Sequence, residues 1–302
     1  MAFASERFET VFRQEDRGLT PEEAAAALRE YDAILPTLGD RFAGPAFQGG
    51  PLRCRILANF GVGVNHIDVA AARAAGLLVT NTPGAVTDAT ADIAVMLILM
   101  ACRRAGEGER MLRRAEWTGW APTQMLGTHV TGLTLGVVGM GRIGQAVAHR
   151  CHHGFGMPVI YYNRSPKAVD VLARQVGSLR ELMREADVVV VAVPGGAETL
   201  GLIGVAELAA MKATGFLVNV ARGDVVDEDA LVAALEAGRI AGAGLDVYAR
   251  EPEVPARLRA LENVVLLPHL GTATLGVREA MGRMAVENLV AFAEGREPPN
   301  LV

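Results

Sequence analysis

The sequence predicts an α/β protein of two lobes, each built on a parallel sheet covered by helices. Three observations carry this. The chain has 302 residues, more than a single domain of roughly 100–200 residues needs. Apolar, β-branched runs alternate with amphipathic stretches along almost its whole length. The runs are continuous rather than every-other-residue, the mark of strands buried on both faces, and such strands belong to parallel sheets sandwiched by helices.

In chain order the expected strands lie within Tyr31–Leu35, Arg55–Ala58, Leu77–Thr80, Leu133–Gly139, Pro158–Tyr162, Asp187–Pro194, Gly215–Ala221, Gly242–Val247 and Val264–Pro268. Helical patterns fall between them at Pro21–Glu30, Asp68–Ala75, Gly144–His152, Ser178–Glu185 and Asp227–Ala237. Two stretches break the alternation. Thr87–Arg114 reads as one long helix with Thr87 or Asp88 as its N-cap. Val277–Glu294 reads as a helix with no strand after it. The first is expected to lead from a small lobe into a larger one and the second to return. That gives domains at 1–80 plus 272–302 and at 81–271.

Composition narrows the partners. Hydrophobic residues are 51% and charged residues 21%, which excludes a disordered chain. The net charge is −5 with no basic stripe, so no nucleic-acid partner is expected. Three cysteines without CxxC spacing exclude a disulfide scaffold and point to the reducing cytoplasm. The longest apolar run, Ile93–Cys102, has ten residues, against the ~20 that span a bilayer. The N-terminus has no basic region followed by an apolar one, so neither a signal peptide nor a membrane is expected.

The strongest motif is Gly139-Met140-Gly141-Arg142-Ile143-Gly144, directly after a strand pattern and directly before a helix pattern. Gly139 permits a tight turn, Gly141 lets a pyrophosphate approach backbone, and Gly144 lets helix and strand pack closely. The helix N-terminus adds amide donors and a positive dipole. In this context the motif marks a dinucleotide-binding, Rossmann-type unit. The next strand runs into Asn163-Arg164-Ser165. A carboxylate here would grip a ribose 2′-hydroxyl and repel a 2′-phosphate, whereas Arg and a hydroxyl can hold the phosphate. NADP(H) is therefore favoured, with NAD(H) possible.

Three strand ends carry ionisable residues: Arg222 after Val220-Ala221, Asp246 and Glu251 after Gly244-Leu245, and His269 after Pro268. Ligands of open α/β sheets bind at strand C-termini. This set suits hydride transfer to a 2-keto acid. The guanidinium binds carboxylate and keto oxygen, the imidazolium gives that oxygen a proton, and the carboxylate fixes the imidazole tautomer.

From about Arg17 to Val302 the chain closely resembles the D-isomer-specific 2-hydroxyacid dehydrogenase family, and within it the glyoxylate/hydroxypyruvate reductases. The resemblance rests on Asn59-Phe60-Gly61-Val62-Gly63, Asn81-Thr82-Pro83-Gly84, the glycine motif, Asn219-Val220-Ala221-Arg222-Gly223, Gly244-Leu245-Asp246-Val247, Glu251-Pro252 and Pro268-His269-Leu270-Gly271. It implies a Rossmann cofactor domain inserted in a smaller flavodoxin-like substrate domain, and a cytoplasmic homodimer that reduces small 2-keto acids to 2-hydroxy acids. By resemblance Arg222 binds substrate, His269 is the general acid and base, and Glu251 is its partner. Val62 and Gly63 would cradle the substrate carboxylate through their amides. Asp246 would hold the nicotinamide carboxamide, Thr90 would lie near the phosphates and Pro194 would border the adenosine. Val220, Ala221 and Gly271 would complete the cofactor contacts. The long helix with the Arg103–Gly127 stretch would form the dimer contact. D-3-phosphoglycerate dehydrogenase is a sibling alternative, although nothing after Val302 would supply a regulatory domain. Formate dehydrogenase would be expected to carry Gln in place of Glu251. A dinucleotide-sensing regulator or corepressor is the alternative of another class.

Two features depart from the family pattern. No strand is expected before Glu6–Arg13, which would leave the small lobe short of its first strand. Gly195-Gly196 follows Pro194 where bulkier residues are usual, loosening the adenosine edge. Elsewhere, His149, Cys151, His152 and His153 carry metal-ligand residue types, but the end of the first Rossmann helix reads as solvated and no metal is expected. Trp117 and Trp120 read as interface or core, and the resemblance implies that an aromatic from this stretch can reach the neighbouring subunit's pocket. Met96, Met100, Met111, Met281 and Met284 fit core packing.

Overall fold

A computed structural model describes residues 2–15 and 17–302. Its contacts divide the chain into two compact units, Met1–Val86 with Ala273–Val302 and Thr87–Thr272.

The smaller unit holds a three-stranded parallel sheet in the order β1 (Ala33–Ile34), β2 (Ile56–Ala58), β3 (Leu78–Thr80). On one face Leu28, Phe42, Leu57, Ile67 and Val79 pack together. Leu28 comes from the Pro21–Glu30 helix, which starts where the sequence says it should. Thr20 and Glu23 cap it reciprocally and Pro21 opens the first turn, so two otherwise unpaired amides are satisfied. On the other face Ile56 and Ala58 meet Ala285 and Leu289 of the Leu275–Ala293 helix, with Phe8 against the same cluster. The first strand among the described residues is β1; the Glu6–Arg13 segment forms none.

The larger unit holds a seven-stranded, all-parallel sheet. Its strands are β4 (Leu135–Val138), β5 (Val159–Tyr162), β6 (Ala173–Gln175), β7 (Val188–Val191), β8 (Phe216–Asn219), β9 (Gly242–Leu245) and β10 (Val264–Leu266). They lie in the order β10-β9-β8-β7-β4-β5-β6. The order reverses between β4 and β7, the switch point where such sheets bind dinucleotides. The continuous apolar runs are explained directly. In β7, Val189 and Val191 enter one core while Val188 and Val190 enter the other. The first core is closed by Leu182, Leu208 and Leu231 from three helices, the second by Leu97 and Val147 from two others. Emptying a site such as Leu97 would cost about 2–5 kcal/mol.

Three expectations need correction. Strand β6, Ala-Arg-Gln, carries no β-branched run and was not foreseen; it exists because β5 offers a free edge for parallel pairing. The Thr87–Arg114 stretch is two helices, Thr87–Cys102 and Ala105–Arg113. Arg104 adopts a left-handed φ of 53° between them, and the Thr128 amide takes the Cys102 carbonyl at 2.7 Å. Gly106 and Gly108 then weaken continuation. Thr87 is the first helical residue and Asp88 lies in the first turn, so neither stands outside the helix as a cap.

Candidate active site

The parallel neighbours β8, β9 and β10 end side by side, and the turns beyond them bring the ionisable residues together. His269 Nδ1 lies 2.7 Å from Glu251 Oε2. Glu251 Oε1 accepts the Tyr248 amide at 3.0 Å. Burial alone would raise the Glu251 carboxyl. The His269 hydrogen bond and charge, the Tyr248 amide and Arg222 outweigh it and hold the group below the usual glutamate range. A group held as carboxylate can only accept, so His269 Nδ1 donates and Nε2 is left for a ligand.

The Arg222 turn is built by its neighbours. Asn219 is buried; its Oδ1 accepts the Ala221 amide at 3.0 Å and its Nδ2 donates to the Arg222 carbonyl at 2.9 Å. A Cβ on Gly223 would stand 1.8 Å from the Tyr248 carbonyl carbon, so only glycine lets the two turns touch. Arg222 Nη1 donates to the Ala221 carbonyl at 2.7 Å. Its other N–H groups have no partner among the described residues, which leaves a half-buried cation with donors to spare. Burial pulls the Arg222 pKa down, while Glu251 and Asp224 pull it back up; an arginine stays charged throughout.

Asp246 is almost wholly buried. Its two carboxylate oxygens accept the Leu270 amide at 2.6 Å and the Gly271 amide at 2.8 Å, and its carbonyl accepts the His269 amide at 2.9 Å. Burial raises its pKa against those amide bonds. Three bonds from one residue thus hold His269 at a left-handed φ of 53°, a conformation an L-residue reaches only when its surroundings impose it. Thr90 is buried and its hydroxyl donates to the Gly271 carbonyl at 3.2 Å. Asn219 and Tyr248, whose hydroxyl donates to the Leu267 carbonyl at 2.9 Å, are braces that sequence reasoning did not single out. The Asn219 motif was the available signal.

At β4 the glycine motif divides into two roles. A Cβ on Gly139 (φ 98°) would sit 2.7 Å from Val193, and one on Gly144 would sit 2.2 Å from the Gly139 carbonyl oxygen. Folding alone requires those two. A Cβ on Gly141 would meet nothing within 4 Å, so packing does not explain it and the space fits an approaching ligand. Gly141 begins the Arg142–Phe155 helix without a side-chain cap, and the first-turn amides of Arg142 and Ile143 therefore lack intrahelical partners. Positive dipole, open amides and a bare backbone suit a pyrophosphate.

Beyond β5, Asn163 Oδ1 accepts the Met140 amide at 3.3 Å and Nδ2 donates to the Ser165 carbonyl at 2.8 Å. Asn163 therefore ties the glycine loop to the next strand. Arg164 and Ser165 are exposed beside a cavity of about 410 Å³ lined by Tyr162, Asn163, Gln175 and Gly177. Pro194 and Thr199 are joined by a 2.7 Å hydrogen bond from the Thr199 hydroxyl, so the Gly195-Gly196 loop is tied at its base. Val220 and Ala221 are buried beyond the end of β8.

In the smaller unit the Asn59–Gly63 loop wraps around the buried Asn59 side chain. Asn59 Nδ2 donates to the Gly61 and Gly63 carbonyls at 2.9 and 3.0 Å, and Oδ1 lies 2.9 Å from His66 Nε2. With the carbonyls drawn in, the Val62 and Gly63 amides have no partner among the described residues. Asn59 and His66 are a second pair whose role the sequence did not disclose.

The remaining candidates separate clearly. Cys151 is buried, His149 pairs with Asp170 at 3.1 Å, and His152 and His153 meet edge to face. Among the described residues no group of three or more His, Cys, Asp or Glu is placed to hold a metal ion. Trp117 and Trp120 are 51% and 80% exposed, so neither is core. Of the five methionines only Met281 is buried; the other four are half-buried. Among the described residues no helix is long and apolar enough to cross a membrane.

Comparison with known proteins agrees with this arrangement. The D-isomer specific 2-hydroxyacid dehydrogenase NAD binding domain matches residues 95–271. A glyoxylate reductase of Thermococcus gammatolerans is 46% identical over 98% of this chain and 90% of its own length. An NADPH-dependent glyoxylate/hydroxypyruvate reductase of Sinorhizobium meliloti, solved with NADP and malonate, has 36% identity and a TM-score of 0.88 over 100% of this chain and 93% of its own. A glyoxylate reductase of Paecilomyes thermophila has 37% identity and a TM-score of 0.85 over 93% and 87%. With its switch point, glycine loop and His269–Glu251 pair, the chain is a nicotinamide-dinucleotide oxidoreductase that belongs to the D-isomer specific 2-hydroxyacid dehydrogenase family.

Proposed function

We propose that this chain reduces small 2-keto acids, glyoxylate and hydroxypyruvate foremost, to glycolate and D-glycerate, with NADPH preferred over NADH. The observation that carries the reading is the 2.7 Å His269–Glu251 pair, with the spare donors of Arg222 on the neighbouring strand end.

Arg222 uses its free N–H groups to hold the keto oxygen and carboxylate, which fixes the carbonyl and polarises it. The nicotinamide, when bound, supplies the hydride to the keto carbon. His269 Nε2 gives its proton to the keto oxygen as charge develops there, yielding the 2-hydroxy acid and a neutral imidazole. Glu251 keeps the Nδ1 proton in place through both states. Asp246 sets the turn from which His269 acts. Gly141 and the amides of Arg142 and Ile143 receive the pyrophosphate on the turn that Gly139 and Gly144 allow, with Thr90, Pro194, Val220, Ala221, Asp246 and Gly271 completing the cofactor site. Asn163, Arg164 and Ser165 receive the adenosine ribose, and the Arg164 cation favours a 2′-phosphate. The open Val62 and Gly63 amides suit a substrate carboxylate. Residues 1–80 with 272–302 serve substrate and 81–271 the cofactor. A homodimer is supported by Leu112, Trp117, Trp120 and Leu126, exposed apolar side chains in one segment, with Trp120 the side chain to test at a partner's pocket, and the free, buried Cys54, Cys102 and Cys151 fit the reducing cytoplasm.

The test is the initial rate of reduced-nicotinamide oxidation with glyoxylate, hydroxypyruvate, pyruvate and 2-ketobutyrate, each with NADPH and NADH. Fastest turnover of the first two with NADPH is expected. Turnover with NADH alone would remove the role given to Arg164. Cofactor binding without any turnover would point to a sensing protein instead.

A further inference from the structure

Arg164 is already engaged. Its Nη1 donates to Glu198 Oε2, and Glu198 is the charged partner of Arg164 among the described residues. The two side chains are 80% and 78% exposed, so water and salt weaken the pair and another anion can displace it. Glu198 is not loosely placed. It precedes Thr199, whose hydroxyl donates to the Pro194 and Gly196 carbonyls at 2.7 and 3.2 Å and whose amide donates to Gly196 at 3.0 Å. A pinned loop after β7 thus holds a carboxylate against the cation that leaves β5.

We propose that Glu198 is an internal competitor for the 2′-phosphate: its carboxylate occupies Arg164 in the place of that anion and sets how strongly the chain selects NADP(H) over NAD(H). This rests on the reading of Arg164 as the 2′-phosphate ligand. A phosphate monoester carries more charge than a carboxylate and offers three acceptor oxygens, so it can take the guanidinium from Glu198. It then binds with the displaced carboxylate still nearby, and like charges repel. A cofactor without the phosphate leaves the ion pair intact, so its affinity does not depend on Glu198. The pair therefore moderates selectivity without abolishing it. Exposed-pair and Coulomb magnitudes together put the moderation at about three- to tenfold.

The experiment is titration calorimetry of the full chain with 2′,5′-ADP and with 5′-AMP, repeated with NADPH and NADH. The variants are Glu198→Gln, Arg164→Ala and the double variant. Glu198→Gln is expected to bind 2′,5′-ADP and NADPH about three- to tenfold more tightly, with 5′-AMP and NADH changed less than about twofold. Arg164→Ala should weaken 2′,5′-ADP by about tenfold or more, and Glu198→Gln should gain less in that background than in the parent, because only the like-charge repulsion remains to be relieved. If Glu198→Gln matches the parent while Arg164→Ala weakens 2′,5′-ADP, the competitor is overturned and the 2′-phosphate reading survives. Equal tightening of all four ligands would make Glu198 a general field and also overturn it. An unchanged Arg164→Ala would overturn the 2′-phosphate reading and the competitor with it.

Discussion

Two regions of the same seven-stranded sheet are built by opposite means. At the ends of β8, β9 and β10 the work falls to side chains, and each is braced. His269 is held through Glu251 and through the turn fastened by Asp246, and Arg222 by the turn that Asn219 shapes. At the ends of β4 and β5 the work falls to backbone and to exposed groups, with Gly141 open and Arg164 at the surface. The first region is built for fixed geometry, which proton transfer needs. The second is built for reach and for charge that can be exchanged. Alterations in the first should therefore damage the rate, and alterations in the second should change binding or selectivity.

After the loss of His269 itself, the largest expected effect comes from emptying the cation of the braced region. Arg222→Gln removes the half-buried cation proposed to hold substrate, a loss of about 2–5 kcal/mol. kcat/KM for glyoxylate should fall by roughly 10²–10³ in steady-state assays while NADPH affinity stays near the parent value. Next is the glycine end. Gly144→Val would force a Cβ onto an oxygen 2.2 Å away. An unfolding free energy lower by about 1–3 kcal/mol, read by urea titration, is expected together with weakened NADPH binding. In the smaller unit, Asn59→Ala leaves the Gly61 and Gly63 carbonyls without their buried donor, so the amide loop loses its shape. KM for glyoxylate should rise by about tenfold, with a smaller change in kcat.

The smallest effect is one of pH. Glu251 has a native pKa below its ordinary value of 4.5. Its carboxylate therefore contributes its stabilisation fully above that value and loses it as pH falls through the lower native one. The difference in melting temperature between the parent and Glu251→Gln should be flat above about pH 5.5 and narrow below about pH 4. A difference that widens with acid would mean that Glu251 is protonated in the native state.

How much of this was readable beforehand follows the same division. Val188–Val191 announces a strand buried on both faces, because nothing in it is polar. Ala173–Gln175 announces nothing, because its partner β5 makes it a strand. The break at Arg104 is a tertiary event, the capture of the Cys102 carbonyl by Thr128, which no local pattern reports. Arg222, Glu251 and His269 could be picked out because ionisable residues at strand ends are conspicuous. Their braces could not. Asp246 resembles a cofactor ligand in sequence, and only its bonds to Leu270 and Gly271 show that it holds the His269 turn. Glu198 stands 34 residues from Arg164 in the chain, so a motif confined to Asn163-Arg164-Ser165 omits the group that tempers it.

The most direct measurement is kcat for glyoxylate reduction at saturating NADPH, parent against His269→Gln, with NADPH affinity determined for both. Removing a positioned general acid should lower kcat by about 10²–10⁴ and leave the cofactor affinity within a small factor. A His269→Gln protein that binds NADPH and turns over near the parent rate would contradict the proton-donor role of His269.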